Sequence, residues 1–245
     1  MKSSLNKSQI ERFSRQLVLK NIGPKGQKKI LSSKVLIVGI GGLGCPAAEN
    51  LVRAGIGTIG LIDNDVVNLS NIHRQSLFNS NDIKKPKVSV AAKKLKEINP
   101  FTKIKTYKSN LNEKNIKDII KNYELIIDGS DNFKTKFLIN DNCIKFKKKL
   151  VTGAISKFDG HIFSFDFKDQ TTASLKNFYQ EKEISDDMLN CEFEGVLGTT
   201  ASIVGATQAN EALKMIMEIG KNLKNQILII DLLNLNFRKV KFKKR

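Results

Sequence analysis

Side chains able to bind phosphate and metal follow several apolar segments of this chain. Residues 63–65 (DND) end one such segment, residues 70–75 (SNIHRQ) follow shortly afterwards, and residues 128–132 (DGSDN) end another. Arginine and lysine stabilise charge that develops on a phosphoryl group, and a carboxylate can hold Mg²⁺. Arg74 and Lys87, together with Asp65 and Asp131, therefore predict a site for a metal-bound triphosphate.

A glycine-rich turn, residues 39–44 (GIGGLG), connects an apolar segment to a helical pattern. Glycine allows the tight turn and lets backbone N–H groups approach phosphate oxygens at the helix N-terminus. Asp63 ends the next apolar segment, where an acidic residue accepts hydrogen bonds from ribose hydroxyls. The pattern predicts a nucleotide on a Rossmann-like sheet. Taken alone, it also fits an NAD-binding oxidoreductase, whereas the cations beside acids favour a triphosphate.

The hydrophobic pattern predicts the elements that would position these residues. Apolar segments predict strands at 34–39, 58–62, 125–128 and 150–153, and residues 103–107 predict a weak strand. Helical spacing predicts helices at 43–54, 86–98, 113–121 and 132–146. This alternation is typical of an α/β fold with a doubly wound, mostly parallel sheet. The candidate residues would then meet at the carboxyl ends of the strands, where open sheets bind their ligands.

The pattern changes after Gly160. Residues 161–167 alternate as in an antiparallel strand, residues 169–194 are polar and predict a flexible loop, residues 198–220 predict a long helix, and 227–230 and 237–242 predict closing strands. We expect one domain over residues 1–245, with a nucleotide-binding core at 34–153 and an antiparallel extension at 161–245.

Composition excludes several classes of protein. The 245 residues carry a net charge of +18, but only six of the 42 basic residues are arginine, which argues against nucleic acid as the main partner. Three cysteines without a C-x-x-C pair exclude a disulfide scaffold and a cysteine-built zinc ribbon. Without an apolar stretch of about 20 residues or a signal-peptide pattern, the protein is expected to be soluble and cytoplasmic.

Eight segments, in chain order, resemble the ThiF/MoeB/HesA adenylyltransferases, which are bacterial relatives of the ubiquitin-activating enzymes. They are RFSRQ, VLIVGIGGLG, LIDNDVVNLSNIHRQ, KPKV, INP, IIDGSDNF, TKFLINDNC and CEFEGVLG, and the resemblance extends over roughly residues 11–240. It implies an enzyme that uses ATP and Mg²⁺ to adenylate the C-terminal glycine carboxylate of a small ubiquitin-like sulfur-carrier protein ending in Gly-Gly. Pyrophosphate is released, and the pathway is thiamine or molybdopterin biosynthesis. A relative acting on a carboxylate on tRNA and a nucleotide-binding scaffold without turnover stay open as alternatives.

The resemblance also assigns roles to residues. It implies that Asp63 holds the ribose, that Asn71, Arg74 and Lys87 neutralise the phosphates, and that Asp131 organises Mg²⁺. Arg15 matches an arginine that reaches into the partner subunit's site, which implies a homodimer. The residues implied at the nucleotide are Gly42, Asp63, Ser70, Asn71, Ile72, His73, Arg74, Lys87, Asp131 and Asn132.

The resemblance leaves the role of one cysteine open, and the sequence departs from the family in its zinc site. Cys191 matches a family cysteine that takes part in sulfur transfer in some relatives, and packing at a loop end is its alternative role. Cys45 and Cys143 are expected to pack. Many relatives carry a zinc site of two C-x-x-C pairs, but residues 171–174 read TTAS and no second pair follows the final strand. We therefore expect no zinc and a looser loop in the 170s.

Overall fold

The computed structural model describes residues 5–179 and 195–244. Its strands are β1 (Lys34–Val38), β2 (Thr58–Ile62), β3 (Lys103–Tyr107), β4 (Leu125–Asp128), β5 (Lys149–Ser156), β6 (Asp159–Asp166), β7 (Gln226–Asp231) and β8 (Asn236–Lys241). They form one sheet in the order β3-β2-β1-β4-β5-β6-β7-β8. Pairing is parallel from β3 to β5 and antiparallel from β5 to β8. The predicted α/β fold class is confirmed.

Helices cover both faces of the sheet. They are α1 (Lys7–Arg12), α2 (Ser14–Leu17), α3 (Gly23–Ser32), α4 (Gly44–Ala54), α5 (Lys87–Ile98), α6 (Ile116–Ile120), α7 (Phe133–Lys145) and α8 (Gly198–Met217). Strand β1 shows why both faces must be covered, since Val35 and Ile37 belong to one apolar core while Leu36 and Val38 belong to the other. Among the described residues, no helix is long and apolar enough to cross a membrane.

Three elements have one end three residues from its predicted position, each for a local reason, whereas the other predicted elements agree to within two residues. Helix α6 begins at Ile116 rather than at residue 113, because the Asn112 side chain accepts hydrogen bonds from the backbone of Lys114 and Asn115 and forms a turn there. Strand β5 continues past Gly153 because it pairs with β6 in a hairpin. Helix α8 ends at Met217 because Glu218 adopts a left-handed conformation with φ 59°.

The segment after β6 is packed as far as the structure describes it. A flexible loop is predicted over 169–194, yet Ala173 and Leu175 are buried. The Asn225 side chain accepts a hydrogen bond from the Ala173 N–H at 2.8 Å and donates to the Thr171 carbonyl at 3.2 Å. Side-chain hydrogen bonds thus brace the part of the 170s that was expected to be loose.

Cys45 and Cys143 pack in the interior, as predicted, and both are fully buried. Burial raises the pKa of the Cys45 thiol to about 12 and raises that of Cys143 well above its ordinary value. Such thiols stay protonated and are poor nucleophiles.

Candidate functional site

A cavity of about 660 Å³ lies at the carboxyl ends of the parallel strands. Its walls are the glycine turn after β1, the loops after β2, β3 and β4, and the start of α7. Strand order reverses between β1 and β4, and open α/β sheets bind their ligands at such a switch point. The fold therefore places this cavity where nucleotide-binding sheets place a nucleotide.

The glycine turn forms one wall through a close approach of backbones. Gly39 has φ +84°, and a Cβ there would lie 2.9 Å from the Gly129 carbonyl oxygen. A Cβ on Gly44 would lie 1.9 Å from the Gly39 carbonyl oxygen. Only glycine permits both contacts, so the turn and the loop after β4 are packed against each other.

Asp63 is held against the glycine turn. Its Oδ2 accepts a hydrogen bond from the Ile40 N–H at 2.7 Å, and its Oδ1 accepts one from the Asp65 N–H at 2.8 Å. Asp63 also lines the cavity. An ionised carboxylate has about four acceptor sites, so it retains capacity for the hydroxyls of a ribose.

The two predicted cations, Lys87 and Arg74, line the cavity with different hydrogen-bond partners. Lys87 is buried, and its Nζ lies 2.9 Å from Oδ2 of the exposed Asp65. Arg74 Nη1 donates to the Ser70 carbonyl at 2.8 Å and contacts His73 Nε2 at 2.9 Å. Lysine has three N–H donors and arginine five, so both cations can bind phosphate while these contacts persist.

The loop after β4 presents a carboxylate beside a helix N-terminus. Asn132 caps α7 by accepting from the Thr135 N–H at 2.9 Å, and its amide donates to Asp131 Oδ1 at 3.1 Å. Asp131 and Asn132 are exposed and line the cavity. Helix N-termini attract anions, so this corner suits a phosphate with its counter-ion.

The carboxylates at the cavity can be compared with the small number of protein ligands that Mg²⁺ needs. No cluster of three or more metal-ligating side chains occurs among residues 5–179 and 195–244. Mg²⁺ at phosphates is usually held by one or two carboxylates, the phosphates and water. Asp131 and Asp65 are exposed and line the cavity, so each can supply such a carboxylate, and the residues present fit a magnesium triphosphate.

The structure brings eight of the predicted site residues to the cavity. They are Gly42, Asp63, Ser70, Asn71, Arg74, Lys87, Asp131 and Asn132. Ile72 and His73 are not among the lining residues, although His73 contacts Arg74. Arg15 is exposed on α2, away from the lining of its own chain's cavity. Cys191 lies outside the described residues.

Two parts of the cavity wall were not predicted. Residues 109–112, in the loop after β3, line it, as do Ala154 and Ile155 on β5. Lys136 also lines the cavity and is paired with the buried Asp128 at 3.2 Å. The one sequence signal for Lys136 is a cation in the first turns of a helix, where the helix dipole disfavours it.

Comparison with known proteins identifies the family. The ThiF family model matches residues 13–245. The sulfur carrier protein adenylyltransferase of Thermus thermophilus is 36% identical over 96% of this chain and 88% of its own length. A probable molybdopterin-synthase adenylyltransferase of Gracilaria tenuistipitata is 38% identical over 98% of this chain, and an adenylyltransferase and sulfurtransferase MOCS3 of Drosophila virilis is 39% identical over 99%. This chain spans 66% and 54% of the lengths of those two relatives.

Solved structures agree on the fold. Escherichia coli MccB superposes with a TM-score of 0.85 at 18% identity, covering 98% of this chain and 72% of MccB. PaaA superposes with a TM-score of 0.83 at 21% identity, covering 100% of this chain and 77% of PaaA. With the family model matching almost the whole length, the chain belongs to the ThiF family.

Proposed function

We propose that this chain is an ATP-dependent adenylyltransferase that activates the C-terminal glycine carboxylate of a small sulfur-carrier protein. The observation that carries the proposal is the cavity at the β1–β4 switch point, which is lined by the cations Arg74 and Lys87 together with Asp63 and Asp131. The names of the relatives support it, since one is a sulfur carrier protein adenylyltransferase and another a probable molybdopterin-synthase adenylyltransferase. Their names also support a sulfur-carrier partner in place of a carboxylate on tRNA.

The reaction would join a carboxylate oxygen of the carrier to the α-phosphorus of ATP. The bond from the α-phosphorus to the bridging oxygen breaks, and pyrophosphate leaves with that electron pair. Arg74 and Lys87 stabilise the negative charge that grows on the phosphates, while Asn71 and Gly42 bind the nucleotide beside them. Asp63 positions the ribose, and Asn132 holds the start of α7 next to the phosphates.

Asp131 would hold Mg²⁺, with the exposed Asp65 nearby. The ion would neutralise charge on the triphosphate when bound. Ser70, Ile72 and His73 belong to this site through the segment that carries Arg74. His73 contacts Arg74, so it would also help to place the guanidinium group.

We further propose a homodimer in which Arg15 serves the partner's site. Arg15 is exposed and does not line its own cavity. Val18 and Leu19, three and four positions after it, are 74% and 52% exposed. An apolar surface next to an exposed arginine suits a subunit contact that brings the guanidinium group to a second copy.

Exchange of labelled pyrophosphate into ATP tests the proposed function. The assay is run with each candidate carrier ending in Gly-Gly, and with the same carrier lacking its last glycine as the control. Exchange that requires both ATP and the intact terminus supports carrier adenylation. NAD binding without exchange would support the oxidoreductase alternative instead.

A further inference from the structure

A buried ion pair adjoins the cavity, outside the set of residues assigned to ATP. Lys136 is 5% exposed and Asp128 is 1% exposed, and Lys136 Nζ lies 3.2 Å from Asp128 Oδ2. Burying two charges is costly, and a cation near a helix N-terminus is further disfavoured by the helix dipole. Hydrogen bonds to both side chains compensate for this cost.

Asp128 has its full complement of hydrogen bonds. Its Oδ1 accepts from the Ser130 N–H at 2.9 Å and from the Ser130 hydroxyl at 2.5 Å. Its Oδ2 accepts from Lys136 and from the Thr152 hydroxyl at 2.5 Å. Four donors fill the acceptor sites of a carboxylate, so Asp128 holds protein groups in place and is not free to bind a metal ion.

Lys136 connects the end of β4 to the middle of β5. Besides Asp128 at the end of β4, its Nζ donates to the Gly153 carbonyl on β5 at 2.7 Å. The residue after Ser130 is Asp131, and the residues after Gly153 are Ala154 and Ile155, which line the cavity. One ammonium group therefore fixes the loop that carries Asp131 against the wall formed by β5.

We propose that Lys136 is a positioning residue that acts through Asp128 and Ser130 to present Asp131 to a magnesium triphosphate. This inference rests on the proposed function. Lys136 supplies no group to the reaction; it sets where the Asp131 carboxylate stands relative to the glycine turn. Groups that orient a metal ligand commonly change metal affinity or activity by about 10- to 100-fold when they are removed.

Calorimetric titration of the whole chain with ATP, with and without Mg²⁺, tests the inference without requiring turnover. We expect Lys136→Met to weaken ATP binding in the presence of Mg²⁺ by about tenfold or more, and to leave binding without Mg²⁺ unchanged. Lys136→Arg can donate to both Asp128 and Gly153 and is expected to restore most of the lost affinity. Lys149→Met is the control, because Lys149 also donates to a carbonyl, that of Met215 at 2.7 Å, but does not line the cavity.

A second pair of variants keeps the test decisive if Lys136→Met does not fold. Asp128→Asn combined with Lys136→Met removes both charges and leaves no buried charge unpaired, and Thr152→Val removes one donor to Asp128. We expect the double variant to lose the Mg²⁺-dependent gain in ATP affinity while its melting temperature stays measurable. We expect Thr152→Val to lose part of that gain.

The outcomes separate this inference from the proposed function. If the unaltered chain binds no ATP in the presence of Mg²⁺, the proposed function fails and the inference fails with it. If the unaltered chain binds magnesium ATP, and folded Lys136→Met or the folded double variant binds it equally well, the inference alone is overturned.

Discussion

In the proposed function, phosphate binding depends most on Arg74 and Lys87. Lys87 is already buried beside Asp65, so a triphosphate meets a cation that has lost most of its water. Arg74 is directed by Ser70 and His73, so its guanidinium group is oriented before the ligand arrives. Preorganised charge of this kind stabilises a transition state because little reorganisation is needed during the reaction.

Replacing either cation tests this account. We expect Arg74→Ala and Lys87→Ala each to lower carrier-dependent pyrophosphate exchange by about 100-fold or more, since one preorganised contact is worth about 3 kcal/mol. Lys85→Ala is the matched control, because Lys85 is exposed, two positions from Lys87 and absent from the cavity lining. Near-normal exchange in both active-site variants would contradict the assignment.

Cys191 belongs to the later chemistry if it has a chemical role. Adenylation uses a carboxylate oxygen as the nucleophile, and no thiol enters that step. Cys191→Ser is therefore expected to leave carrier-dependent pyrophosphate exchange unchanged. A fall in thiocarboxylate formation, or loss of a reducible enzyme–carrier adduct, would identify a functional thiol. Loss of exchange in a folded Cys191→Ser protein would contradict assignment to a later step.

At the scale of elements, Asn225 braces residues 171–173, in the loop for which a looser structure is expected from the absence of a C-x-x-C pair. Its side chain bonds both Ala173 and Thr171, and its φ of 55° is left-handed. Lys224 and Asp169 form an ion pair next to it. The ring of Phe178 lies 5.6 Å from that of Phe242, which follows β8. Hydrogen bonds, an ion pair and aromatic packing together tie the 170s to the closing strands.

This brace predicts how stability responds to two changes. Asn225→Gly keeps the left-handed backbone but removes both hydrogen bonds, and we expect the free energy of unfolding to fall by about 1–3 kcal/mol. Asn225→Asp retains an acceptor for the Ala173 N–H and is expected to lose less. A zinc chelator is expected to leave the melting temperature of the unaltered chain unchanged. A chelator-induced fall in melting temperature would show that a metal supports this region.

Secondary structure could be predicted from the sequence where the hydrophobic pattern is local. Strands β2, β3 and β4 have their predicted bounds. For β2 and β4 the reason is that short apolar segments between turns indicate buried strands without further information, whereas β3 is a largely exposed strand at the edge of the sheet. Helices α1–α3 were not predicted. Residues 20–34 carry five lysines, so helical spacing is hard to see there, although Ile30 and Gly26 pack into the core.

In the candidate site, too, the local features could be predicted from the sequence and the tertiary contacts could not. Residues at strand ends were placed at one edge because parallel strands share a direction. The hydrogen bond from Lys136 to the Gly153 carbonyl could not be predicted, because it joins residues 17 positions apart. The rotamer of Lys136 that makes this bond is decided by tertiary packing. The contact of Arg74 with Ser70 and His73 is likewise a matter of side-chain conformation.

At the scale of the whole molecule, the proposed homodimer predicts that two inactive variants can complement each other, which a monomer could not do. Arg15→Ala and Asp131→Ala are each expected to be inactive alone. If Arg15 serves the partner's site, a mixed dimer contains one site with both residues intact, so mixing the two proteins is expected to restore part of the exchange activity. Subunit exchange is verified first, for example with differently tagged chains. No recovery after verified exchange would place Arg15 in its own chain's site or in a structural role.

The central claim is that this cavity joins AMP to the C-terminal carboxylate of a carrier protein. Carrier-dependent exchange of labelled pyrophosphate into ATP measures that step directly, because exchange requires reversible formation of the acyl-adenylate. We predict exchange that needs Mg²⁺ and a carrier ending in Gly-Gly, and no exchange with the carrier lacking its last glycine. Folded protein that binds ATP but exchanges no pyrophosphate with any such carrier would contradict the claim.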